Sequence, residues 1–83
     1  ISLRALDILK KADLEAAEDT RETQKLCRMH GFAPKKIIAY HDHNADSMRP
    51  KILQHLSKGE VVALVSDAGL PLIADPGFKL VRA

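Results

Sequence analysis

Apolar residues recur at Ala5, Ile8, Leu9 and Ala12, while Arg4, Asp7 and Lys11 fall on the opposite side. That i, i+3, i+4, i+7 spacing predicts an amphipathic helix over residues 2–12, with Ser2 as its cap. Leu14-Glu15-Ala16-Ala17-Glu18 is too short for another helix and reads as a strand. Asp19 and Glu22 have the spacing of a capping box, with aspartate in place of the usual Ser or Thr. The helix they open carries Thr23, Leu26, Cys27 and His30 on one face, and it stops at Gly31 with Pro34 just beyond.

Lys36 to Tyr40 reads as a second strand. A third helix follows, with Met48, Ile52, Leu53 and Leu56 inward and Gly59 at its end. Either Asn44 or Ser47 can cap it. A proline deep in a helix costs ~3 kcal/mol but little in the first turn, so Pro50 favours Ser47 unless the helix is kinked. Glu60 to Ser66 is the clearest strand, apolar on both faces as a central parallel strand should be. A loop and the start of a fourth helix follow. Alternating helices and strands imply an α/β fold, a parallel sheet with flanking helices and right-handed crossovers.

Length and composition narrow the class. Eighty-three residues make one small domain, which buries only ~60–65% of the surface its unfolded chain exposes. At 46% apolar and 29% charged the chain reads as soluble and globular. A net charge of +2 is too even to indicate a nucleic-acid partner, and Lys35-Lys36 reads as a solvated strand edge. Cys27 is the single cysteine, which rules out an internal disulfide and favours a reducing, cytoplasmic setting. No apolar run approaches the ~20 residues of a membrane span. The first residues already follow a helical pattern, and the last break off at a helix start. More chain is therefore expected on both sides.

In an open parallel sheet, ligands sit outside the carboxyl ends of the strands. The places to inspect are Glu18-Asp19-Thr20-Arg21, His41-Asp42-His43-Asn44 and Ser66 to Gly77. In the last, Gly69 allows close approach of backbone to a ligand and Pro71 stiffens the turn. Asp75, Pro76 and Gly77 then supply an N-cap, a proline at N1 and another glycine. An ordinary strand-turn-helix joint has the same residues. His41-x-His43 in extended chain places two imidazoles on one side, with Asp42 pointing away. With no third ligand fixed nearby, a polar strand end feeding a helix cap is the simpler account, and no metal is expected. Asp19 and Arg21 could serve as base and anion-holder, or as cap and solvated side chain. Cys27 reads as core packing with no general base beside it. There is no Gly-x-Gly-x-x-Gly and no Walker loop, so classical dinucleotide or nucleoside-triphosphate binding loses its main support.

Three segments carry a more specific signal: Ala16 to Arg21, Tyr40 to Asn44, and Val62 to Gly77. In this order and spacing they resemble the ribosomal RNA small subunit methyltransferase I family, of the tetrapyrrole methylase superfamily. The likeness runs from Ile1 to Ala83. It implies an enzyme that uses S-adenosylmethionine to methylate the ribose 2′-hydroxyl of a cytidine in the decoding region of small-subunit rRNA. It also implies a cytoplasmic bacterial homodimer; from the residues themselves, neither a metal nor a membrane partner is expected. The resemblance places cofactor contact, largely through main chain, on Asp67, Ala68, Gly69, Leu70, Pro71 and Ile73. Asp19, Arg21 and His41 become catalytic candidates, with Asp19 or His41 as base; Glu18, Thr20, His43 and Asn44 match the same signatures. Leu70 departs from the family, which usually has Thr there. By the same resemblance, a first strand with a Pro-x-Gly-Asn-Leu turn should precede Ile1 and a second domain should follow Ala83. Residues 1–83 alone should then be inactive. Two rivals remain: a tetrapyrrole C-methyltransferase of the same superfamily, and a non-catalytic, receiver-like α/β interaction module.

Overall fold

The computed structural model describes residues 3–66, 72–74 and 80–82, the last two stretches as backbone. Its elements are α1 (Leu3–Lys11), β1 (Leu14–Ala17), α2 (Thr20–Met29), β2 (Ile37–Ala39), α3 (Ala45–Ser57), β3 (Val62–Val65), β4 (Leu72–Ala74) and β5 (Leu80–Arg82). The sheet runs β2-β1-β3-β4-β5. β1 is parallel to β2 and to β3, whereas β4 is antiparallel to both β3 and β5.

The α/β fold is therefore present, with a three-stranded parallel centre. The far edge is a correction, because the sheet is mixed and residues 80–82 form a strand where the fourth helix was expected. Leu72-Ile73-Ala74 takes up the open edge of β3, and Leu80-Val81-Arg82 takes up that of β4. Unpaired strand edges need partners, and Ile and Val favour the pleated conformation. Ser2 and the helix start proposed at Asp75, Pro76 and Gly77 lie outside the described residues.

Period-two alternation divides the core. Leu14, Ala16 and Val62, with Ile38 and Leu64 beside them, pack under Ile52 and Leu56 of α3. Ala63 and Val65, on the other face, pack under Leu9 of α1, Ala12 just after it, and Leu26 of α2. β1 is central and buried along its whole length, so its neighbours on both sides fix its register.

Local chemistry sets the boundaries. Lys10 and Lys11 close the last turn of α1, where positive charge complements the helix dipole. α2 and α3 both end in Schellman turns. Phe32 N–H donates to the Cys27 carbonyl and Glu60 N–H to that of His55, around Gly31 and Gly59 at φ 84° and 82°. Asp13 ties the α1–β1 corner to β3 by accepting the Val61 N–H through Oδ2 at 2.9 Å.

Three further expectations are corrected. α3 starts at Ala45 with Asn44 as its N-cap residue, and Pro50 lies inside it. Ser47 does not cap; its hydroxyl donates to the Asn44 carbonyl at 3.0 Å. The histidine turn described below fixes Asn44 and starts the helix early, which outweighs the cost of the proline. Leu53 is 51% exposed, since the inner stripe runs through Ile52 and Leu56, with Met48 and His55 half-buried. His30 is exposed because it is the C-cap of α2, past the last helical turn.

Candidate functional site

A cleft of about 510 Å³ opens at the carboxyl ends of the three parallel strands, a size typical of small-molecule sites. β1 and its continuation contribute Ala16 and Glu18, and β3 and its continuation contribute Leu64, Val65 and Ser66. Tyr40, His41, Asp42 and His43 come from the segment after β2, and Ala45 and Arg49 from α3.

The alternation that builds the core also chooses the carboxylate. Leu14 and Ala16 face α3, so Glu18, two residues on, continues on that face and reaches the cleft. The Glu18 N–H donates to the Val65 carbonyl at 3.1 Å, which prolongs the pairing with β3. Asp19 turns the other way. Its Oδ1 accepts the N–H groups of Arg21 and Glu22 at 3.1 and 3.2 Å and caps α2. Asp19, Thr20 and Arg21 do not line the cleft.

Residues 41–44 form a turn, not the extended His-x-His expected, and Asp42 lines the same cleft as the two histidines. Asn44 holds the turn from inside. Its Oδ1 accepts the His41 N–H at 2.8 Å, and its Nδ2 donates to the Ala39 carbonyl at 2.9 Å. The His43 N–H donates to His41 Nδ1 at 3.2 Å, and the two rings stand edge to face, 5.8 Å apart. Among the described residues no group of three or more His, Cys, Asp or Glu is arranged to hold a metal.

Of the proposed cofactor contacts, Asp67, Ala68, Gly69, Leu70 and Pro71 lie outside the described residues. Ile73 pairs with Ala63 in the sheet. Arg49 lines the cleft without having been singled out, and it pairs with Asp46 at 3.2 Å. The helical spacing Ala45/Arg49 placed both beside the histidine turn and could have revealed it.

A second polar pair lies beneath the opposite face. Glu15, in the centre of β1, is fully buried, and Cys27 donates its S–H to Oε1 at 3.9 Å. A carboxyl therefore does stand beside Cys27, contrary to expectation. Among the described residues, the Glu15 Oε2 has no hydrogen-bond partner. Burial pushes this carboxyl up to about 7. Burial, with the nearby carboxylate charge, pushes the thiol up to about 11. The thiol stays protonated at neutral pH, so the pair does not make a nucleophile.

An open α/β sheet with a mixed polar and apolar cleft at its strand ends is the architecture of a ligand-binding α/β domain. The sequence is similar along its length to proteins named ribosomal RNA small subunit methyltransferase I. The relative from Bacillus subtilis (strain 168) is 48% identical over 82 residues, covering 99% of this chain and 28% of the relative. Those from Neisseria meningitidis serogroup A and Xylella fastidiosa are 50% and 48% identical, covering 99% and 100% of this chain and 28% and 30% of theirs. The resemblance read from three segments thus holds over the whole chain, which spans less than a third of these curated relatives. No family model and no solved structure matches the chain.

Proposed function

We propose that this segment belongs to an S-adenosylmethionine-dependent methyltransferase that modifies the ribose 2′-hydroxyl of a cytidine in the decoding region of small-subunit rRNA. One observation carries the reading. The three segments that bear the resemblance meet in one cleft, as Glu18 from the first, His41 and His43 from the second and Ser66 from the third.

S-adenosylmethionine supplies an electrophilic methyl carbon on a sulfonium sulfur. The cleft suits such a molecule, because Ala16, Leu64 and Val65 offer apolar surface while Asp42 offers negative charge to a cation. Val65 and Ser66 lead into Asp67, Ala68, Gly69, Leu70 and Pro71, which with Ile73 hold the donor through main chain in this reading. The protein's contribution is to orient the acceptor and exclude water. A ribose hydroxyl must also lose its proton to a nearby base, for which Asp19 and His41 were the candidates from sequence, with Arg21 to hold an anion.

No described helix is long and apolar enough to cross a membrane. In this reading the enzyme is cytoplasmic and acts on ribosomal subunits. The active species in this reading is a homodimer of the full-length polypeptide, and residues 1–83 alone are inactive. The test is methyl transfer from labelled S-adenosylmethionine to small ribosomal subunits lacking the modification, with calorimetric titration of the donor. The full-length protein should bind the donor and label one cytidine ribose. Donor binding without rRNA labelling, but with labelling of a tetrapyrrole carbon, would move it to another branch. No donor binding would favour an interaction module.

A further inference from the structure

Resting on that reading, we propose that Glu18 takes the proton of the acceptor hydroxyl, while His41 donates a hydrogen bond into the cleft instead of serving as the base. The first half follows from strand geometry. Of the two adjacent carboxylates at the end of β1, Glu18 faces the cleft and Asp19 caps α2. No hydrogen bond or salt bridge to another described residue occupies the Glu18 carboxylate. Asp42, the other acid in the cleft, lies in the turn after β2. Glu18 directly follows β1, the strand between β2 and β3, and so stands between the histidine turn and the start of the proposed donor loop.

The second half follows from hydrogen-bond accounting. A neutral imidazole has one N–H and one acceptor nitrogen. Nδ1 of His41 is the acceptor, since it receives the His43 N–H, so the proton resides on Nε2. Such a ring has no free lone pair with which to remove a proton. It can donate to an oxygen of the ribose or its phosphate and steady it for reaction. Asn44, which holds both the His41 amide and the Ala39 carbonyl, is the positioning residue.

The transfer then balances. The hydroxyl oxygen bonds to the methyl carbon as the carbon–sulfur bond breaks. The bonding pair stays on sulfur and neutralises the sulfonium. The hydroxyl proton passes to the Glu18 carboxylate.

The experiment uses the full-length protein with Glu18→Gln, His41→Gln and His41→Ala variants. Loss of a general base lowers kcat by ~10²–10⁴-fold, so Glu18→Gln should fall in that range while calorimetric affinity for the donor stays within about threefold. His41→Gln keeps an N–H where Nε2 stood and should retain activity within about tenfold, whereas His41→Ala should lose more. Independently of turnover, nitrogen NMR of labelled histidine should find Nε2 of His41 protonated and Nδ1 not. Equal loss in His41→Gln and Glu18→Gln, or a proton on Nδ1, would overturn it. A wild-type protein that transfers no methyl group overturns the function itself, and the role of Glu18 with it.

Discussion

Cys27 Sγ and Glu15 Oε1 lie 3.9 Å apart, both fully buried. The carboxyl of Glu15 titrates at about 7 in the fold, against 4.5 ordinarily. Between those values the folded protein holds a proton that the unfolded chain has released. The contribution of Glu15 is therefore most favourable below about pH 4.5 and is lost as the pH rises through about 7. The shift corresponds to about 3 kcal/mol. Urea denaturation at pH 5 and pH 8 should show wild type weakening by a margin that Glu15→Gln largely removes. Parallel pH dependence in the two proteins would contradict the raised carboxyl of buried Glu15.

Asp19 supplies two of the hydrogen bonds that α2 lacks at its start. Asp19→Ala should destabilise the fold by about 1 kcal/mol. Arg21→Ala, at an exposed position, should stay within about 0.5 kcal/mol. The two melting curves check this directly. Comparable stability losses would mean that the cap is not the source.

Pro50 lies inside α3 and has no N–H to offer the Asp46 carbonyl, four residues earlier. Pro50→Ala should raise stability by ~1–3 kcal/mol. The readout is the denaturation midpoint, with helix content by circular dichroism as a control. A lower midpoint would show that the proline holds the entry of the helix in place.

Asp13 accepts the Val61 N–H at 2.9 Å across 48 residues of chain, and also lies 3.8 Å from the Lys35 ammonium. The first contact is the stronger one. A hydrogen bond to a charged group contributes ~1.5–3 kcal/mol, whereas an exposed ion pair contributes ~0–1 kcal/mol. Asp13→Ala should accordingly cost well over 1 kcal/mol and Lys35→Ala less. Comparable losses in chemical denaturation would assign the effect to the ion pair.

The parts of the fold that could be read from the chain rest on periodicity and punctuation. Ala5, Leu9 and Ala12 form one helical stripe, Val62 to Val65 is apolar throughout, and Gly31 and Gly59 end helices where left-handed backbone is required. The misreadings arose where a tertiary contact outweighed a local rule. Asn44 is fixed by bonds to His41 and Ala39, so α3 begins before Pro50 would by itself permit. Glu15 reads as an unremarkable strand residue until α2 sets Cys27 above it. At the site, the two signature segments were visible as clusters. Which member of Glu18-Asp19 enters the cleft depends on strand parity, and the hydrogen-bond state of His41 depends on a turn that residue spacing does not encode.

Because Asn44 fastens the histidine turn to the end of β2 through its own side chain, the conformational cost of shaping that rim is met during folding. An arriving molecule finds the jaw already set and loses no affinity to ordering it. Discrimination at this side of the cleft would then come from steric and hydrogen-bond match, with unsuitable ligands rejected at first contact.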